Sequence, residues 1–191
     1  MKYGTSLLDA GKSFLVKAED GTGGIACGGM QHIRDAGQLR LVADTELSFG
    51  AEFVVEEEIV PRLAEVSIHW EITETGDVLF IGIFEQVSRN FGYAGAVWPA
   101  QNISAGTRRR IMSDAEDKFW PALLALNAVG FFCCDVIVDE NGLPYWIDFN
   151  PRKGAILYVY DMFRRLSLVH ADRESGFFRH EHLHLPDRPG G

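Results

Sequence analysis

Cysteine is scarce in this chain, which contains three cysteines in 191 residues. Three cysteines do not make a disulfide framework. Cys133 and Cys134 are neighbours on a predicted strand, so their side chains point to opposite faces, while Cys27 lies far away in sequence. We therefore expect buried, reduced thiols and a cytoplasmic protein, because structural disulfides belong to oxidising compartments.

Long apolar runs are missing as well. No stretch approaches the roughly 18 apolar residues that mark a membrane-spanning helix. The N-terminus lacks the apolar segment and small-residue cleavage site of a signal peptide. The sequence therefore predicts no membrane partner.

Basic residues are outnumbered by acidic ones, 18 Lys and Arg against 27 Asp and Glu, for a net charge of −9. A nucleic-acid backbone needs a cationic face on its protein partner, so this charge argues against nucleic acid. It does not argue against a small phosphate ligand such as ATP, which needs only a few local cations and a metal.

The order of predicted elements is typical of an α+β protein with a largely antiparallel sheet. Helix 113–129 carries the clearest signals, because Ser113 and Glu116 form a capping box and Gly130 follows as the expected terminator. Residues 1–12 and 171–191 are expected to have little order. The predicted strands are 13–18, 52–59, 65–73 and 77–86; the loops are 20–29 and 88–106; the other helices are 35–43 and 156–168.

The strongest local signal is a hairpin around Asn141-Gly142, a dipeptide that favours a two-residue turn. Counting outward from that turn places Asp135 opposite Asp148, and Asn150 shares their face because side chains repeat every second residue. Like charges opposite each other destabilise a sheet unless a cation lies between them. Two carboxylates and an amide oxygen suit Mg²⁺ or Mn²⁺. The same count pairs Glu140 with Leu143 and Val138 with Tyr145.

Two further segments bear on phosphate and nucleotide binding. Lys17 ends a predicted strand before a glycine-rich loop, whose backbone N–H groups could close over phosphate oxygens. An apolar strand leads into Glu56-Glu57-Glu58-Ile59, where free backbone groups could hold an adenine edge. An ordinary glycine turn and a solvated acidic run explain the same two segments, and the residues alone leave both alternatives open. Arg152, just past the hairpin, is placed to meet a phosphate or carboxylate.

Together, in this order, the three segments resemble the ATP-grasp superfamily over about residues 13 to 155. The matching text is FLVKAEDGTGG, then VVEEEI with AEVSI, then GFFCCDVIVDENGLPYWIDFNPRKG. The resemblance implies an ATP-grasp fold without the pre-grasp lobe that usually precedes it. It also implies a small lobe over 1–60 and a large lobe with the metal hairpin over 61–170, followed by a weakly ordered tail over 171–191.

The resemblance also assigns roles to single residues. Lys17 corresponds to a phosphate-binding lysine, and the mobile phosphate lid corresponds to Gly21, Thr22, Gly23 and Gly24. The adenine hinge corresponds to Glu56, Glu57 and Ile59, and Glu65 corresponds to the ribose-binding acid. Asp135, Asp148 and Asn150 fall on the metal ligands, with Asp148 in place of the more frequent glutamate.

The family implies a reaction in which ATP phosphorylates a carboxylate and an amine attacks the acyl phosphate. The expected substrates are small carboxylates and amines, the expected cofactors are ATP and Mg²⁺ or Mn²⁺, and Arg89 or Arg152 would meet the transferring phosphoryl group. Within the superfamily, the segment EQVSRNFGYAGAVWP and the ending NPR look most like ligases that form peptide bonds. The alternative is a non-catalytic ATP-binding or partner-binding module. A separate N-terminal lobe or a second copy of the chain is the expected protein partner.

Overall fold

The computed structural model describes residues 2–18, 30–45, 53–89, 92–167 and 176–179. They divide into two compact units. The first contains residues 1–60 and 89–92, and the second contains residues 61–88 and 93–191. Each unit has its own sheet and its own apolar core.

The first unit is built on a three-stranded sheet. Strand β1 (Phe14–Ala18) lies between β2 (Met30–Ile33) and β3 (Phe53–Glu57), and both neighbours are antiparallel to it. Helices α1 (Lys2–Asp9) and α2 (Ala36–Thr45) complete the unit. Its core consists of Leu7, Phe14, Val16, Ile33 and Val42.

The N-terminal prediction was wrong, because residues 2–9 form α1 and Leu7 enters the core. The short helix expected over 35–43 is confirmed as α2. Asp35 begins that helix by accepting a hydrogen bond from the Gln38 backbone N–H at 2.9 Å, as an N-cap residue does.

The second unit is built on a six-stranded sheet. Its strands are β4 (Arg62–Ile72), β5 (Val78–Arg89), β6 (Gly92–Trp98), β7 (Gly130–Asp139), β8 (Pro144–Asn150) and β9 (Gly176–Arg179). The spatial order is β8-β7-β4-β5-β6-β9, and β4 pairs antiparallel with both β5 and β7, as do β7 with β8 and β6 with β9. The predicted α+β class with largely antiparallel sheets is therefore confirmed.

Helices cover both faces of this sheet. One face packs against α3 (Ala105–Asp114), a π-helical turn (Ala115–Phe119) and α4 (Trp120–Ala125), with Val66, Ile68, Trp70 and Val136 in the core between them. Part of the other face packs against α5 (Ala155–Ser167) through Phe84, Ile156, Leu157 and Tyr160. The part that α5 leaves uncovered carries polar side chains.

Two predictions for this unit were wrong. The loop expected over 88–106 contains β6. The helix expected over 113–129 begins at Ala105, where the Ser104 hydroxyl accepts a hydrogen bond from the Thr107 N–H at 3.0 Å. Ser113 is inside the helix and donates to Asp117. Of the tail expected over 171–191, Gly176–Arg179 form β9, and its other residues lie outside the described ones.

The helix also ends earlier than predicted. Asn127 takes the left-handed conformation, with φ of 53°. Its N–H binds the carbonyl of Leu124, and the Ala128 N–H binds the carbonyl of Leu123. This pair of bonds is a Schellman motif with asparagine at C′, so Gly130 is the first residue of β7 and not the terminator.

Candidate functional site

A strip of polar side chains crosses four strands on the face of the second sheet that α5 partly covers. The strand registers place Ser67 opposite Asp135, and Asp135 opposite Asp148, on one face. Gln86 and Ser88 join that face from β5, because Phe84 pairs with Ser67 and side chains repeat every second residue. This polar strip consists of Glu65, Ser67, Gln86, Ser88, Asp135, Asp148 and Asn150.

The predicted pairing of Asp135 with Asp148 is present, and the next pair on the same face is Cys133, two residues before Asp135, with Asn150, two residues after Asp148. All three predicted metal ligands therefore share a face. Asp135 and Asn150 are partly buried, whereas Asp148 is exposed. The Asn150 amide donates to the Asp148 carboxylate over 2.9 Å.

The turn that leads to this pairing differs from the prediction. Asp139 donates its N–H to the Leu143 carbonyl, and Gly142 donates to the Asp139 carbonyl with φ of 77°. The loop thus has three residues, ending in a left-handed glycine. Val138 consequently pairs with Pro144 and not with Tyr145, and a bulge beside Asp135 restores the register at the acids.

Asp135 is held by neutral donors. Its Oδ1 accepts a hydrogen bond from the Gln86 amide over 2.6 Å, and the Ser67 hydroxyl also donates to the carboxylate. Burial raises the pKa of the Asp135 carboxyl, and the nearby Asp148 charge adds to that rise, while the bonds from Ser67 and Gln86 and the Arg152 charge oppose it. A cation bound nearby would therefore stabilise the ionised form of the Asp135 carboxylate.

Glu65 already has partners for both carboxylate oxygens. Arg62 donates to Oε1 at 2.5 Å, and Ser88 donates to Oε2 at 2.5 Å. A ribose hydroxyl that bound Glu65 would therefore share these oxygens with two protein groups. Ser88 and Gln86 had no predicted role. Their spacing of two residues from each other and from Phe84 along β5 could have indicated that all three share one face of the sheet.

The donor set fits a hard divalent cation. Two carboxylates and an amide lie on one face, which is the oxygen chemistry that Mg²⁺ prefers. No group of three His, Cys, Asp or Glu side chains within the described residues has the arrangement of a metal site. The predicted set differs in kind, because it has two carboxylates and completes its ligands with an amide.

The neighbouring part of the same face contains a buried histidine. His69 pairs with Cys133, is 1% exposed, and meets Phe84 edge-on at 5.1 Å between ring centroids. Burial lowers the pKa of His69 to about 3 and raises the pKa of Cys133 to about 12. A neutral imidazole and a protonated thiol are therefore packing groups here.

In the first unit, two predicted residues form an ion pair. Lys17 Nζ lies 2.6 Å from Glu56 Oε2. Glu57 binds Lys12 at 2.6 Å on the exposed surface, and Ile59 is partly buried after β3. Glu58, in the same predicted segment, accepts a hydrogen bond from Ser13 at 2.5 Å and lies 2.7 Å from His32 Nε2.

The remaining predicted residues are placed only in part. Gly21, Thr22, Gly23 and Gly24 lie outside the described residues. Arg89 is the last residue of β5. Arg152 is exposed after β8, and its carbonyl faces the Cys133 thiol at 4.0 Å.

The fold described above recurs in solved structures. N5-carboxyaminoimidazole ribonucleotide synthetase from Thermus thermophilus is 21% identical, with a TM-score of 0.60 over 80% of this chain and 38% of its own. Biotin carboxylase from Campylobacter jejuni, as a β,γ-ATP complex, is 19% identical, with a TM-score of 0.62 over 82% of this chain and 35% of its own. These proteins are ATP-grasp enzymes. The chain has the ATP-grasp fold.

A third ATP-grasp structure gives the same result. The biotin carboxylase domain of the Hydrogenobacter thermophilus 2-oxoglutarate carboxylase, in complex with ADP, its magnesium salt and bicarbonate, is 18% identical, with a TM-score of 0.65 over 84% of this chain and 35% of its own. The chain thus spans little more than a third of the length of these ATP-grasp proteins.

No family model and no curated protein matches the sequence. None of the helices in the described part of the chain is both long and apolar enough to cross a bilayer. The ATP-grasp assignment therefore rests on the fold.

Proposed function

We propose that this chain binds ATP together with Mg²⁺ or Mn²⁺, and that it is the nucleotide-binding part of an ATP-dependent carboxylate–amine ligase. The observation that carries the proposal is the pairing of Asp135 with Asp148, with Asn150 on the same face, in a chain with the ATP-grasp fold. Two carboxylates opposite each other destabilise a sheet, and a bound cation would offset that repulsion.

Asp135, Asp148 and Asn150 would hold the metal, whose charge would stabilise the transferring phosphoryl group when it is bound. Arg152 lies two residues after the end of β8, and its charge already acts on Asp135. We assign Arg152, together with Arg89, to the phosphoryl or acyl phosphate group, because a guanidinium binds such oxyanions through two parallel hydrogen bonds.

The first unit would supply the nucleotide contacts. Lys17 is the proposed phosphate ligand, and its ion pair with Glu56 would have to exchange for phosphate oxygens when ATP binds. Glu56, Glu57 and Ile59 are the proposed adenine hinge, Gly21, Thr22, Gly23 and Gly24 the proposed lid, and Glu65 the proposed ribose ligand.

The test of the metal claim is a calorimetric titration of ATP with and without Mg²⁺. We expect Asp148→Asn to weaken the Mg²⁺-dependent part of the affinity by at least about 10-fold, since even indirect changes around a metal cost that much. Affinity in the presence of a chelator should stay at the wild-type value, because the substitution leaves the other nucleotide contacts in place.

The matched control is Glu140→Gln, which removes an exposed acid from the turn of the same hairpin and should bind as wild type does. If Asp148→Asn and Glu140→Gln show the same Mg²⁺ dependence as the wild type, the ligand assignment is wrong.

The ligase claim needs a separate assay of ADP release with panels of carboxylates and amines. Bicarbonate belongs in the carboxylate panel, because the Hydrogenobacter thermophilus protein was crystallised with it. Tight binding of Mg-ATP without ADP release for any pair would leave the non-catalytic ATP-binding module as the function of this chain.

A further inference from the structure

Two uncharged side chains converge on Asp135 from the neighbouring strands. Ser67 comes from β4, the central partner of β7, and is 1% exposed. Gln86 comes from β5, one strand further away, and reaches across β4 to place Nε2 2.6 Å from Asp135 Oδ1. The carboxylate therefore has two donors from two different strands.

Packing alone does not account for these polar residues. On β5, Phe84 occupies the same face two residues earlier, is fully buried and packs against Tyr160. On β4, Ile68 and Trp70 fill the opposite face. On β5, the polar Gln86 therefore follows the apolar Phe84 on the same face where Asp135 lies, and on β4 the buried Ser67 is polar as well. A buried polar group is costly unless its hydrogen bonds are made.

The two proposed carboxylate ligands also differ in how they are held. Asp148 is exposed and accepts from Asn150 two residues along its own strand. Asp135 is fixed by groups from two other strands. Fixing one ligand in advance lowers the conformational cost of binding a metal, which is the usual effect of groups that bind the ligands themselves.

We propose that Gln86 and Ser67 are positioning residues for the metal ligand Asp135: their hydrogen bonds hold the carboxylate in one orientation before the cation binds. The inference rests on the proposed function, since it takes Asp135 to be a ligand. It adds that β4 and β5, and not only the hairpin, determine the metal affinity.

The experiment measures Mn²⁺ affinity by electron paramagnetic resonance at saturating ATP, in the full chain. Gln86→Met keeps the length of the side chain and removes the donor, and Ser67→Ala removes the hydroxyl. We expect each to weaken Mn²⁺ binding by about 10- to 100-fold, while ATP affinity in a chelator stays unchanged. Gln101→Met, at an exposed glutamine of the same unit, is the control and should bind Mn²⁺ as wild type does.

The outcomes separate this inference from the proposed function. If the wild type binds no Mn²⁺ with ATP, the proposed function fails and takes the inference with it. If the wild type binds Mn²⁺ and both variants bind it equally well, the positioning role alone is wrong. A lower melting temperature with unchanged Mn²⁺ affinity would mean a structural role and would also overturn it. If Ser67→Ala does not fold, Gln86→Met decides the matter.

Discussion

The acid sensitivity of the second unit should depend on one buried histidine, His69. Burial lowers its pKa from 6.5 to about 3, and neither ring nitrogen has a hydrogen-bond partner among the described residues. The unfolded chain takes up a proton as the pH falls below 6.5, whereas the folded chain does not until about pH 3. Above pH 6.5 the imidazole is neutral in both the folded and the unfolded chain, so it does not change the free energy of unfolding. As the pH falls from 6.5 towards 3, the free energy of unfolding decreases, because only the unfolded chain takes up the proton.

The size of this effect follows from the two pKa values. Each pH unit inside this window changes the free energy of unfolding by about 1.4 kcal/mol. Between about pH 7 and about pH 5, only the part below pH 6.5 contributes. The free energy of unfolding therefore falls by about 2 kcal/mol between these two pH values. His69→Leu removes the titrating group and should remove this loss.

The assay is urea unfolding of the wild type and His69→Leu at both pH values, followed by tryptophan fluorescence. All four tryptophans belong to the second unit, so the signal reports that unit. Other titrating groups are common to both proteins and cancel in the difference between them. At about pH 7 we expect no loss of stability in the variant, because leucine leaves no buried polar atom without a partner. Equal pH dependence in the two proteins would refute the reasoning.

Two further predictions concern the fold. Ser104→Ala should lower the free energy of unfolding by about 1 kcal/mol, because it removes the N-cap. The control, Ser113→Ala, should change the free energy of unfolding by less than about 0.5 kcal/mol. Equal losses for the two variants in thermal unfolding would contradict the observed start of the helix. Gly154→Ala would bring a methyl group 2.9 Å from His69 Cε1 and 3.1 Å from Cys133 Sγ. We expect a loss of about 1–3 kcal/mol from this overpacking, and a melting temperature equal to that of the wild type would show that the site adjusts freely.

The face shared by the acids could be predicted from the sequence because register depends on the spacing of the strands. The prediction assumed a two-residue turn, while the hairpin has a three-residue loop and a bulge. These two deviations of one residue each cancel at Asp135 and Asp148, although they do not cancel at Val138. The turn residues alone do not distinguish the two loops, because Gly142 satisfies either of them.

The start of the long helix was missed for a different reason. Ser104 is followed by Gly106 and three arginines, which give no apolar periodicity, so the stronger amphipathic pattern after Ser113 dominated the prediction. In this first part, Ile111 is the fully buried side chain that packs into the core. The nearly complete burial of His69 is not evident from its neighbours in sequence, since its environment comes from strands and a connection distant in sequence.

The bulge in β8 has a consequence for insertions and deletions in this hairpin. Trp146 faces the core, where it packs on Phe119 at 4.4 Å between ring centroids, and Asp148, only two residues later, lies on the opposite face beside Asp135. Ile147 is the extra residue that allows this. If Ile147 were deleted, Trp146 and Asp148 would be adjacent in sequence, so a regular ladder would keep them on the faces they now occupy. If a residue between the turn and Trp146 were deleted instead, one of these two side chains would lose its present register with β7.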